Sequence, residues 1–260
     1  MEWIGEPQAS HGVTERRFDL VVDGATVPGI VWTPEDATGT RPLVLLGHGG
    51  SGHKRMGYIL ALARRLVRHL GYAAAAIDGP MHGDRVPGGT ELTLDVVRRR
   101  MNENSAETRA RFTAVRKEWS ETLTALKNLD GIGDGPTGYW GLSMGTVIGL
   151  PFVAGEPRID AAVLGLMGLP PDAPGNAARS IAIPLMFLVQ WDDELVSRDG
   201  ALRLFDALGS KQKTMHVNPG KHQAVPPAEF QASEEFFAKH LGAQDGAERL
   251  PRKEVRAATA

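Results

Sequence analysis

The sequence predicts an α/β domain with a mostly parallel central sheet, antiparallel strands at its start, helices on both faces and no large lid domain. Three observations predict it. Alternating apolar runs flank Asp23-Gly24, which is a hairpin signal. Short continuous apolar runs then recur from Pro42 onward, the texture of strands buried on both faces. Between them lie segments with apolar residues at steps of three and four, which read as helices.

Taken in order, Phe18, Leu20 and Val22 share one face of the first run, and a second run passes through Val27, Ile30 and Trp32. "PLVLLG" at 42–47 is a buried strand, 55–70 is a helix, and "GYAAAAIDG" is a second buried strand ending at Asp78. This β-α-β order implies a parallel sheet. The stretch 79–135 holds two helical patterns before the next strand. The first, near 91–102, carries Arg98, Arg99 and Arg100 and reads as a solvated helix face. The second, near 106–129, sets Phe112, Val115, Trp119, Leu123 and Leu126 on one side.

A short strand at 137–141 leads into a helix. Two more buried strands follow, in "IDAAVLGLMG" and "IPLMFLVQ". The helix "ALRLFDALGS" ends at Gly209, "KTMHV" is a strand, and a final helix starts at Pro226-Pro227. From Gly242 the chain is polar and lacks a periodic apolar face, so it is expected to fray. The domain is thus read as residues 1–241, with a flexible tail at 242–260 and the 79–129 segment placed to cover the site.

Composition excludes several functions. The net charge of −2 offers no basic footprint for nucleic acid. No apolar run is long enough for a membrane span. The chain has no cysteine, so disulfides, thiolate metal sites and a cysteine nucleophile are excluded. "MEWIGEPQASHG" lacks the basic and apolar regions of a signal peptide. The expectation is a cytoplasmic protein, monomeric or homodimeric, with no cofactor, no metal, no nucleic-acid partner and no membrane partner.

One loop, "LVLLGHGGSGHK" at 43–54, fits three chemistries. Gly47–Gly52 matches the dinucleotide fingerprint G-x-G-x-x-G. It also approaches a phosphate-binding P-loop, and His48-Gly49-Gly50 looks like the oxyanion loop of an esterase. The P-loop fails because His53 stands where a lysine must reach the phosphates. The dinucleotide reading keeps Asp78, 26 positions beyond Gly52, as its ribose acid, against about 20 expected. An antiparallel start and the lack of any Tyr-x-x-x-Lys count against it. An NAD(P)-dependent oxidoreductase therefore stands as the alternative. H-E-x-x-H metal hydrolysis has no support in the sequence.

The rest of the chain favours the esterase. Gly141-Leu142-Ser143-Met144-Gly145 fits G-x-S-x-G, between an apolar strand and a helical pattern. A serine on such a turn projects its hydroxyl above the sheet, and the crowded turn needs small flanking residues. A serine needs a base, and the base needs a third group to orient it. "QWDDELV" supplies Asp192, Asp193 and Glu194 at a strand exit, and "NPGKH" supplies His222 on a loop after a strand. Serine, acid and histidine follow in the order such a fold requires, each after a predicted strand.

These residues resemble the α/β-hydrolase superfamily, and within it the dienelactone-hydrolase-like serine esterases. His48–Gly50, "DGPMHG" at 78–83, Gly141–Gly145, "QWDDELV" and "NPGKH" carry the likeness, which spans all but the tail. The resemblance implies a Ser143–His222–Asp193 triad, Asp193 being preferred to Asp192 because the family's acid precedes a valine by three positions. It implies an oxyanion hole from the N–H groups of Gly50 and Met144. It places His82 near the site, read as structural and fixing its loop with Asp78. Two departures stand out: dienelactone hydrolases use a cysteine nucleophile, and Gln190 replaces the family's usual glycine. The implied activity is hydrolysis of a small or medium carboxylic ester, or of a thioester or lactone; a non-catalytic small-molecule binder on the same fold is the further alternative. Trp191, beside the acidic turn, fits either the acyl pocket or the core.

Overall fold

The computed structural model describes residues 1–86 and 106–242. The Arg98–Arg100 pattern, the side chain of Phe112 and the tail from 243 lie outside the described residues. One nine-stranded sheet organises the rest. Its strands are β1 (Glu2–Ser10), β2 (Val13–Val22), β3 (Ala25–Pro34), β4 (Leu43–Gly47), β5 (Ala73–Ile77), β6 (Thr137–Leu142), β7 (Ala161–Gly165), β8 (Leu185–Gln190) and β9 (Lys213–Asn218). The spatial order is β1-β2-β3-β5-β4-β6-β7-β8-β9. The strands from β1 to β3 pair antiparallel, β3 meets β5 antiparallel, and every pair from β5 to β9 is parallel.

The Asp23-Gly24 hairpin forms as the sequence predicts, with both residues at positive φ (49° and 80°), the backbone that a two-residue turn needs to match strand twist. Strand β1 was not foreseen. It is almost wholly exposed, polar and interrupted by a register shift between Ile4 and Gln8, so it shows no alternation to read.

The helices are α1 (Gly57–Leu70), α2 (Ala106–Lys127), α3 (Met144–Gly155), α4 (Asn176–Ser180), α5 (Arg198–Ala207) and α6 (Ala228–Leu241). Successive strand residues point to opposite faces, and the core divides accordingly. Val44, Leu46, Ala74 and Ala76 pack with Ile59 and Leu66 of α1 and Phe237 of α6. Leu43, Leu45, Ala73 and Ala75 pack with Trp119 of α2, Phe152 of α3 and Leu204 of α5. Between β7 and β8 the chain carries only the five-residue α4, so no lid domain is inserted there. Among the described residues no helix is long and apolar enough to cross a membrane.

The face predicted for α2 is the one that is buried: Val115, Trp119, Leu123 and Leu126 are at most 2% exposed. Trp119 packs edge-on to Tyr139 at 5.9 Å and against Phe152 at 6.2 Å. Trp119→Ala should therefore leave a large void and cost about 3–5 kcal/mol, measured as a fall in the urea midpoint at unchanged slope.

Candidate active site

The strand β6 runs into α3 through Ser143. Its backbone sits at φ 57°, ψ −118°, outside the regions L-residues favour, and such strain persists only where the surroundings enforce it. Here they do. A Cβ on Gly145 would stand 2.6 Å from the Gly47 carbonyl oxygen, and one on Gly141 would stand 2.7 Å from that of Gly145. Helix and sheet thus touch backbone to backbone on both sides of the serine. Tyr139 Oη donates to the Gly145 carbonyl at 2.7 Å. Thr146 Oγ1 accepts the Gly165 N–H at 2.8 Å and lies 2.7 Å from the Gly141 carbonyl. The first N–H groups to meet the Ser143 carbonyl are those of Thr146 and Val147. The N–H of Met144, at the start of the helix, therefore has no partner within α3.

Asp193 and His222, the acid and base expected from the sequence, follow β8 and β9 at the end of the sheet. His222 Nε2 lies 2.8 Å from Ser143 Oγ, and His222 Nδ1 lies 2.7 Å from Asp193 Oδ2. Both of these last side chains are buried, 7% and 4% exposed. Asp193 Oδ1 accepts the N–H groups of Leu195 and Val196 at 2.8 and 2.9 Å, which turns Oδ2 to the histidine. Asp192 instead accepts the Gly220 N–H at 3.1 Å. Glu194 accepts the His222 N–H at 3.0 Å, and this bond holds its carboxyl below the usual carboxylate range. Gln190, the departure from the family pattern, donates to the Lys221 carbonyl at 3.2 Å. The 190–194 segment is thus joined to the 218–222 segment at successive residues. Trp191 is not core: it is 41% exposed, with the Arg198 guanidinium 3.7 Å above its ring.

Loop 47–54 is held by partners that the sequence did not reveal. The Gly49 N–H donates to Tyr58 Oη at 2.7 Å. His48 Nδ1 is 2.8 Å from the Gly49 carbonyl, while His48 Nε2 accepts the Gly79 N–H at 2.9 Å. With Nε2 an acceptor, the ring is neutral and its proton is on Nδ1. Holding the Gly49 carbonyl aims the N–H of Gly50, on the opposite side of the same planar peptide. His82 does not pair with Asp78. The Asp78 carboxylate, with no exposed surface, takes Lys54 Nζ at 2.5 Å, the Lys54 N–H at 2.9 Å and the Asp84 N–H at 2.9 Å. His82 faces two carbonyl oxygens instead, those of Pro80 and Gly50. Because Asp78 is buried and fully partnered, it is not free to bind a ribose, and the dinucleotide reading loses its acid. Among the described residues no cluster suits a metal ion.

No model of a known protein family matches the chain, and neither does any curated protein. Solved structures do. A cold-adapted esterase from an Arctic intertidal metagenomic library, bound to polyethylene glycol, is 43% identical, with a TM-score of 0.80, over 93% of this chain and 100% of that one. A dienelactone hydrolase from Anabaena variabilis shares the fold at 21% identity and a TM-score of 0.64, over 89% and 100% of the two chains. Acetyl xylan esterase 1 from a Thermoanaerobacterium species does so at 16% and 0.67, over 91% and 87%. Fold and site together define an α/β-hydrolase. Within that superfamily the chain belongs to the esterase family that includes the Arctic protein.

Burial lowers the pKa of His48 to about 4, and the neighbouring His82 adds to the shift. An unfolded histidine titrates near 6.5. As pH falls the unfolded chain therefore takes up this proton first, so stability present above about 6.5 is lost on the way down through 4. Between about pH 7.5 and about pH 5 this amounts to roughly 2 kcal/mol. Urea unfolding at the two pH values should show that the wild type loses this much more than His48→Asn does.

Proposed function

We propose that the protein hydrolyses a small or medium carboxylic ester through an acyl-enzyme on Ser143. The observation that carries this reading is the unbroken chain from Ser143 Oγ through His222 to Asp193, at 2.8 and 2.7 Å. His222 Nε2 takes the Ser143 proton as Oγ bonds to the ester carbonyl carbon. Asp193 holds the Nδ1 proton, fixes the reactive tautomer and stabilises the imidazolium that forms. The carbonyl oxygen becomes an oxyanion and accepts hydrogen bonds from the N–H groups of Gly50 and Met144, with the start of α3 adding its dipole. Collapse breaks the bond to the alcohol, which leaves with the proton from His222. Water, deprotonated by the same nitrogen, repeats the sequence on the acyl-enzyme and frees the acid and Ser143. Thioesters and lactones present the same carbonyl to the same groups.

The reading of a small or medium substrate is supported by the short connection between β7 and β8, which carries α4 and nothing larger. No observation favours the oxidoreductase, and the assembled Ser-His-Asp chain argues against a binder without catalysis.

A fluorophosphonate probe should label the wild type at Ser143 and leave Ser143→Ala unlabelled. Labelling that persists in Ser143→Ala would remove the serine from the mechanism.

The two acids of the turn should separate sharply on a p-nitrophenyl ester. Asp193→Asn should lower kcat by about 10³- to 10⁴-fold, because the base loses its tautomer. Asp192→Asn should stay within about tenfold, because the amide oxygen can still accept the Gly220 N–H and only the charge behind that bond is lost.

A further inference from the structure

We infer that His82 is a positioning residue for ester hydrolysis: its Nε2–H holds the carbonyl of Gly50 and so fixes the peptide that follows the oxyanion-binding N–H. The inference rests on the reading of Gly50 as an oxyanion donor.

His82 is only 6% exposed, on the loop that follows β5, yet it reaches across to the neighbouring loop. Its Nε2 lies 2.8 Å from the Gly50 carbonyl and its Nδ1 lies 2.7 Å from the Pro80 carbonyl. Carbonyl oxygens only accept, so Nε2 must carry a proton for the bond to Gly50 to exist. The Pro80 carbonyl faces the other nitrogen, Nδ1, so the tautomer that serves Gly50 is the one with its proton on Nε2.

The consequence lies in which peptides are held. His48 holds the Gly49 carbonyl, in the peptide whose other end is the Gly50 N–H. His82 holds the Gly50 carbonyl, in the next peptide. The two planes that flank the Gly50 Cα are each fixed by a different histidine, and together they set both of its backbone torsions. Glycine has no side chain to narrow those torsions, so external bonds must do so. The rings lie 5.1 Å apart between centroids and come from the loops that follow the adjacent parallel strands β4 and β5. Neither is required to touch a substrate. His82 would act entirely through the loop, by keeping a donor aimed at charge that appears only in the transition state.

Two substitutions separate the two ring nitrogens. The amide nitrogen of glutamine reaches the place of Nε2 and keeps the bond to Gly50. That of asparagine reaches the place of Nδ1 and keeps only the bond to Pro80. With p-nitrophenyl acetate, His82→Asn should lower kcat about tenfold to a hundredfold and leave KM within about threefold, because the lost aim matters in the transition state. His82→Gln should keep kcat within about threefold of wild type. Ser143→Ala gives the blank, and urea midpoints correct each rate for folded protein. A residue that is merely structural would lower stability in both variants without this split in kcat. Equal kcat in the two folded variants overturns the inference. Nitrogen-15 NMR of the wild-type ring tests it without relying on either variant: a protonated Nε2 is expected, and a bare Nε2 overturns it. Absence of any Ser143-dependent turnover by the wild type is a separate result, which overturns the esterase reading and leaves the ring measurement standing.

Discussion

The architecture depends on a contact that involves no side chain. Helix α3 meets β4 and β6 through the backbone of Gly47, Gly141 and Gly145. Nothing larger fits, so the helix starts immediately above the sheet and the turn into it closes within one residue. Ser143 absorbs the closure in its positive φ. Its hydroxyl is then lifted clear of the strand, while the first N–H groups of the helix open beside it. The proposed nucleophile and one proposed donor share one piece of geometry, and parallel strands β8 and β9 deliver Asp193 and His222 to the same edge.

Those groups are fixed by different physical means. Asp193 is oriented by two backbone N–H groups of its own turn. His222 is carried on a loop tied to that turn at successive residues. Loop 47–54 is held by two histidines and a tyrosine. Beneath it lies the pair of Lys54 and Asp78, 4% and 0% exposed in their side chains. Breaking such a pair leaves an uncompensated buried charge, so loop 47–54 and loop 78–85 are bound to move together.

Much of this was legible in the chain. Strands buried on both faces are continuous apolar runs, and β4, β5 and β8 fell where those runs did. Ser143, Asp193 and His222 each follow a parallel strand, β6, β8 and β9, which brings three distant segments to one edge. Other features left no trace to read. Strand β1 is exposed and polar, and only pairing with β2 makes it a strand. Tyr58 looks like any other residue of an amphipathic helix until the fold places its hydroxyl on Gly49. The partner expected for His82 was Asp78, since a carboxylate is visible in a sequence and a backbone carbonyl is not. Asp192 and Asp193 are adjacent and chemically alike; in the structure it is Asp193, held by the N–H groups of Leu195 and Val196, that contacts His222.

His222, the proposed base, follows the strand at the margin of the sheet. β9 pairs only with β8 and is the least buried of the parallel strands, whereas Ser143 rises from β6, near the middle. Opening that began at this edge would reach His222 before it reached Ser143. On the proposed triad, a partly opened molecule would keep its core and Ser143 while lacking His222, the group proposed to activate it. Activity would be lost ahead of secondary structure on mild heating, and restored as β9 zips back, without the chain having unfolded.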